Sequence, residues 1–366
     1  MISLRRKMLP ARPRRVPSNF LSRDGGVSNM AEKFGLARRA VLAAPALLVA
    51  PGLGGAATTA AAAPAPLCIV LNSGGATVSI IDMASRRVLR EEPTFREPSH
   101  WALAADHKRL LIADASGNAL FFLDPATGRE LGHKMIPDPY QLWFSPDGRF
   151  LTVNCLRLNH VDIYHADTLK LARRFRVGSM PSHLSYTPDS RTLFTSMQDS
   201  GTLVAIDLTT MTERWTAKVG KTPAGVFWHD GVVLVGIMGS DTVAVIDPAN
   251  GRVIRRIVTD KGAHTTFLTP DRKQIYVTNR VAGSLSVLDA KSLDVVKHIP
   301  MPGGPDDICF APDRRLWMSL RFSSHVGVYD PATGKTDRIP VGRSPHGIFI
   351  STLLTDAPAR AAMRIT

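Results

Sequence analysis

The sequence predicts an all-β protein: a seven-bladed β-propeller of four-stranded antiparallel blades, its ring closed by a C-terminal strand that completes the N-terminal blade. Three observations predict it. Two independent sequence markers recur about every 41 residues, each repeat holds four short β-prone segments separated by turns, and the two chain ends supply complementary parts of one repeat.

The first marker is an apolar run ending in Asp: Val78-Ser-Ile-Ile-Asp82, Leu120-Phe-Phe-Leu-Asp124, Leu203-Val-Ala-Ile-Asp207, Val243-Ala-Val-Ile-Asp247, Leu285-Ser-Val-Leu-Asp289 and Val326-Gly-Val-Tyr-Asp330. Val161-Asp-Ile-Tyr-His165 holds the same place with His. The second marker is the series Asp106, Asp147, Asp189, Asp230, Asp271 and Asp313, four of them in Ser145-Pro-Asp, Thr187-Pro-Asp, Thr269-Pro-Asp and Ala311-Pro-Asp.

Within one repeat, residues 182–187, 192–197, 202–206 and 212–219 read as strands. Pro188-Asp189-Ser190 and Asp199-Ser-Gly201 form two of the turns, and the third reads Asp-Pro-Ala-Thr-Gly at 124–128 and 330–334. Pro presets φ at the first turn position, and Gly supplies positive φ where it is needed. A helical repeat would show a 3.6-residue stripe, and no segment after residue 66 carries one. The chain enters its first repeat at the second strand, Leu67 to Asn72. It ends with Ser344-Pro-His-Gly-Ile-Phe-Ile350, the missing first strand. Joining the two removes the unpaired edges an open ring would expose. The expected domains are a leader at 1–65, the propeller at 66–352 and a flexible tail at 353–366.

The formal charge of +14 divides unevenly. Residues 1–65 hold ten Lys or Arg against Asp24 and Glu32 and so supply +8, leaving +6 for the body. Nucleic acid is therefore disfavoured as a partner, because the basic excess belongs mostly to the leader. That leader has a basic start, an apolar stretch from Ala40 to Ala50 and small residues thereafter, the three parts of an export signal. Arg38-Arg39 followed by Ala-Val-Leu resembles a twin-arginine signal, with cleavage expected near Ala62 and a periplasmic or secreted destination. Met30 is an alternative start to Met1. No span able to cross a membrane is expected in the mature chain, which is expected to be a monomer. Cys68, Cys155 and Cys309 lack Cys-x-x-Cys spacing and read as small buried apolar residues.

The string Tyr276-Val277-Thr278-Asn279, with the recurring Ser-Pro-Asp-Gly and Val-x-Val-Ile-Asp-Pro elements, resembles the YVTN-repeat β-propellers over residues 67–351. The resemblance implies the propeller fold. Relatives by fold include exported proteins of unknown ligand, surface-layer proteins, lactonases, and the haem d1 and amine dehydrogenase propellers, so it implies no single activity.

In a propeller the first strand of each blade lines the central channel. The residues six and seven before each Pro-Asp aspartate are Ser99/His100, Tyr140/Gln141, Ser182/His183, His264/Thr265 and Asp306/Asp307, with Ala224/Gly225 and His346/Gly347 completing the ring. Four blades thus place a histidine near one mouth, and adjoining loops add Arg157, His160, Arg280, Arg321 and His325. The candidate ligand-binding residues are His100, Tyr140, His183, His264, Asp306, Asp307, His346, Arg157, Arg280 and Arg321, with His100 and His183 as the candidate metal pair. No nucleophile–base pairing is visible, and the sequence names no cofactor. The expected function is an exported, non-enzymatic binding or scaffold propeller whose His/Arg mouth takes a small anion, a metal or a periplasmic partner protein. The alternative is a periplasmic enzyme or enzyme subunit, either a lactonase-like hydrolase or a propeller associated with an amine or alcohol dehydrogenase. The five tryptophans are expected between blades, and Asp207, Asp247 and Asp289 as turn caps.

Overall fold

The computed structural model describes residues 65–363. The expected leader, its cleavage point and the start codon lie outside the described residues. Twenty-eight strands form seven four-stranded antiparallel sheets, one per repeat. Blade 4 has the strands Pro181–Tyr186, Thr192–Met197, Thr202–Asp207 and Thr212–Lys218, each within two residues of its sequence-based bounds. The three inner strands of each blade are largely buried and the fourth alternates or is exposed, as in Arg87–Pro93, because it forms the outer rim. Closure follows the chain ends: Pro345–Ile350 pairs antiparallel with Leu67–Asn72, placing Cys68 opposite Ile350. That makes seven blades.

The turns follow their chemistry. In the Ser/Thr-Pro-Asp turns the aspartate accepts from the preceding hydroxyl and from a backbone N–H two residues on, as at Asp189 with Thr187 Oγ1 (2.6 Å) and Arg191 N (3.0 Å). The next residue has positive φ, 73° at Gly148 and 60° at Ser190. Asp207, Asp247 and Asp289 cap their turns as expected, for instance Asp207 Oδ1 with Thr209 N at 2.7 Å. The tryptophans fasten blades together. Trp101 donates from Nε1 to the Ile348 carbonyl of the neighbouring blade (2.7 Å), and its ring meets Trp143 and Phe349. The three cysteines are buried and unpaired with one another.

The tail differs from expectation. Ser351–Leu354 forms a 3-10 turn and Ala357–Met363 a short helix, α1, burying Leu353, Ala359 and Ala362. Leu67 N donates to Ser351 Oγ (2.8 Å), and Arg360 Nη1 donates to the carbonyls of Leu353 and Leu354. Two turns are too short to leave a readable helical period, yet a few apolar side chains suffice to seat them. Truncation after Ile350 is expected to cost about 2 kcal/mol, chiefly the lost burial of Leu353, while keeping the β-type circular dichroism. An unchanged melting temperature would show that the seat contributes nothing. Among the described residues no helix is long and apolar enough to cross a membrane.

Candidate functional site

The site begins with a defect repeated in every inner strand. Between Pro98 and Trp101 the inner strand of blade 2 advances three residues while its partner advances two, from Asp114 to Ile112. The same extra residue occurs at Pro139/Leu142, Pro181/Leu184, Pro223/Val226, Ala263/Thr266 and Pro305/Ile308, and opposite Val70/Asn72 in blade 1. A bulge re-aims side chains. Residues in adjacent strand positions, which a regular strand would send to opposite faces, here share the channel.

The result is a chain of aromatic contacts around the axis. The His346 ring centroid lies 4.4 Å from that of His100, His100 lies 5.2 Å from His183, and His183 lies 5.0 Å from His264, all edge-on. Tyr140 packs at 4.6 Å from His100, whose Nδ1 lies 3.1 Å from the Tyr140 carbonyl. All four imidazoles are at most 5% exposed. The Nε2 atoms of His100 and His183 and both ring nitrogens of His346 have no hydrogen-bond partner.

Asp306, fully buried, is the anionic centre. Its Oδ1 lies 3.0 Å from His264 Nδ1 and also pairs with Arg280; its Oδ2 lies 3.1 Å from Arg321 Nη1 and 3.5 Å from His346 Nε2. Arg280 Nη2 also donates to His264 Nε2 at 2.7 Å. Burial alone would raise the Asp306 pKa, but the Arg280 guanidinium, then His346 and His264, hold it well below the usual carboxylate range. Asp307, half-buried beside it, is pushed the other way, by burial and then by the Asp306 charge. Burial lowers His100 to about 3 and His264 to about 4, the latter helped by Arg280; His183 and His346 fall well below their usual value, burial again leading. At neutral pH the cluster therefore holds two guanidinium groups, one carboxylate and four neutral imidazoles, a net of one positive charge.

Below the imidazoles a cavity of about 50 Å³ is lined by His100, His183, Gln141, Asp307 and Met363, room for a few waters or a small ion. Met363, at the end of α1, also lines the cavity on the far side, so the C-terminal helix stands between the imidazoles and the opposite face. On the near side a basin of about 390 Å³ runs past Arg321, Glu97, Arg96 and Ser344.

The structure thus brings together His100, Tyr140, His183, His264, Asp306, Asp307, His346, Arg280 and Arg321. Arg157 stands apart. Half exposed, it donates to Asp138 Oδ1 (3.0 Å) and pairs with Glu97, so carboxylates already hold it. His160 is not at the mouth: it begins a strand, points into blade 3 and is 3% exposed. His325 is half-buried, its Nδ1 2.6 Å from the Ser323 carbonyl. Among the described residues no third His, Cys, Asp or Glu donor atom lies within 4.8 Å of both members of the candidate metal pair His100 and His183. Among the described residues the grouping of three donor atoms within 4.8 Å of one another is Cys155, His160 and Asp162. Sequence reasoning missed Glu97, which precedes the inner-strand proline and faces the rim, and the role of Met363.

Known proteins resemble this chain at several levels. A family described as YNCE-like beta-propeller matches residues 31–358. Uncharacterized protein YncE of Salmonella typhimurium (strain LT2) is 35% identical over 83 residues, 22% of this chain and 23% of that protein; the YncE of Salmonella typhi is 34% identical over a segment of the same size. The matched segment thus spans about a quarter of these relatives' length. Among solved structures, the periplasmic gluconolactonase PpgL of Pseudomonas aeruginosa is similar with TM-score 0.64 and 19% identity, covering 78% of this chain and 99% of that one. A functionally unknown protein of Desulfotomaculum acetoxidans gives 0.67 at 13% identity over 78% and 98%. Dihydro-heme d1 dehydrogenase NirN, solved with DHE, gives 0.58 at 17% over 77% and 74%. At these identities the structural likeness shows the fold.

Proposed function

The chain belongs to the YNCE-like β-propeller family, and from that premise we propose that it is a binding propeller whose imidazole-lined channel mouth takes up a small carboxylate or other oxyanion. The observation that carries the reading is the set of buried ring nitrogens on His100, His183 and His346 with no hydrogen-bond partner. A buried polar group left unpaired costs about 1–3 kcal/mol, and a ligand that satisfies several at once recovers that cost on binding. The sign of the ligand follows from the net positive charge of Arg280, Arg321 and Asp306. Of the three histidines, His183 and His346 can carry the ring proton on an unpaired nitrogen and donate to an anion without adding charge of their own, whereas His100, whose Nδ1–H faces the Tyr140 carbonyl, offers an Nε2 lone pair to a proton that the ligand carries.

A hydrolytic reading, prompted by the likeness to a gluconolactonase, finds less support. His264 is the imidazole paired with a carboxylate, but its Nε2 accepts from Arg280 at 2.7 Å, so no lone pair is left to act as a base. An exported, periplasmic location is part of the proposal and rests on the three-part leader of residues 31–65.

Calorimetric titration of the mature protein with phosphate, sulfate, acetate, citrate and gluconate tests the reading. At least one anion is expected to bind. The double substitution His100→Ala, His183→Ala is expected to weaken it by about 10-fold or more, the equivalent of about 1.4 kcal/mol. No heat from any anion with the unmodified protein would overturn the proposal.

A further inference from the structure

We propose that blade 3 holds a divalent cation of the zinc type between Cys155, His160 and Asp162, a site separate from the channel. The three residues occupy one slot between the second and third strands of the blade. Cys155 and His160 are directly paired across the ladder, and Asp162 lies two residues beyond His160 on the same face. All three are buried, at 0%, 3% and 0% exposure.

The same slot in blades 1 and 6 shows what the position requires. There an asparagine replaces the cysteine, and its amide nitrogen donates to two hydroxyls: Asn72 Nδ2 to Thr77 Oγ1 (3.0 Å) and Ser79 Oγ (2.8 Å), Asn279 Nδ2 to Ser284 Oγ (3.2 Å) and Ser286 Oγ (2.9 Å). In blade 3 that shared donor is gone. His160 Nδ1 sits 3.2 Å from the Leu158 carbonyl, which can only accept, so the ring proton is on Nδ1 and the lone pair is on Nε2. That Nε2 has no hydrogen-bond partner and faces the Asp162 carboxylate at 3.5 Å, with Cys155 Sγ 4.0 Å from the same oxygen. The Asp162 carboxylate accepts from Arg174 and Tyr164 on its outer side, but no donor joins it to His160 Nε2 and the Cys155 sulfur. A cation would do there what the amide nitrogen does in blades 1 and 6.

The spacing fits. With zinc–ligand bonds of about 2.0–2.3 Å, the edges of a tetrahedral site are about 3.4 Å between nitrogen and oxygen and about 3.6 Å between sulfur and oxygen. The observed 3.5 and 4.0 Å lie close to these values. Arg174 grips Asp162 through Nε (2.7 Å) and Nη2 (2.8 Å), and Tyr164 donates its hydroxyl to Oδ2 (3.0 Å); they hold the carboxylate in one orientation, as the hydrogen-bond partners of metal-binding carboxylates do. On binding, the Cys155 thiol loses its proton to solvent and the thiolate joins the ion. Cysteine, histidine and a carboxylate together suit zinc over magnesium or calcium.

Cobalt(II) titration of chelator-treated full-length protein tests the assignment, with zinc content after gel filtration as the second readout. One equivalent per chain is expected, with a thiolate-to-cobalt charge-transfer band. Cys155→Ser is expected to abolish the band, whereas His100→Ala with His183→Ala leaves it intact. The triple substitution Cys155→Asn, His160→Ser, Asp162→Ser restores the slot of blade 6 and is expected to fold without binding. Absence of both band and retained zinc in the unmodified protein, or a band unchanged by Cys155→Ser, would overturn the assignment.

Discussion

Replacing Asp306 with alanine is expected to destabilise the propeller by about 3–5 kcal/mol, the cost of removing one partner from a buried ion pair. The carboxylate is wholly buried and is the shared acceptor for Arg280, Arg321 and His264, with His346 at 3.5 Å. Without it, two guanidinium groups face each other across a low-dielectric channel and repel. Asp306→Asn keeps the shape but removes the charge, so a similar loss is expected. Asp307→Asn is expected to cost much less, because burial and the Asp306 charge already disfavour the charged form of that carboxyl. Urea denaturation midpoints decide the matter. Equal midpoints for the Asp306 and Asp307 variants would mean that the cluster does not depend on a single anion.

Acid is expected to unfold the protein steeply, beginning near pH 6. The four channel histidines titrate near 6.5 when unfolded, whereas burial takes His100 to about 3 and His264 to about 4 and carries His183 and His346 well below normal. Between those values the unfolded chain binds protons that the folded chain refuses. The histidine contribution is therefore complete above pH 6.5 and is lost as pH falls toward 4 and then 3. Each histidine contributes up to about 1.36 kcal/mol per pH unit in that window, so four together approach about 5 kcal/mol per unit. Asp306 adds its own loss only below its unfolded value of about 3.9. Asp307, raised in the fold, works in the opposite sense and gives a partial offset. Melting temperatures from pH 8 to 4 should fall sharply below 6.5 in the unmodified protein and less so in the His100→Ala, His183→Ala variant. A flat profile would mean the imidazoles are hydrated and not held neutral by burial.

Most of the fold could be read from the chain because a propeller is quasi-periodic: one register, once found in blade 4, places residues in every blade. That is why His100, His183, His264 and His346 could be assigned to one mouth before any coordinates. The repeat could not reveal the bulge at the start of each inner strand, which is what lets Tyr140 and His346 meet His100 though they sit one position earlier in their strands. Nor did proximity in sequence tell Arg157, on a turn, from His160, three residues later, where the strand has begun and its alternation turns the ring inward. The Cys155, His160, Asp162 grouping escaped because its members are joined across a hairpin, a spacing unlike Cys-x-x-Cys and similar zinc motifs. Helix α1 escaped because seven residues show no period.

If the inner strands gather buried, neutral imidazoles into one anion-binding mouth, as proposed, those rings respond to the ligand as a group. The most direct measurement is histidine ring NMR of the mature protein during titration with the tightest-binding anion. The resonances of His100, His183 and His346 are expected to move together, while those of exposed His133 and His298 stay still. Movement confined to the exposed rings, with the channel resonances unchanged at saturation, would contradict it.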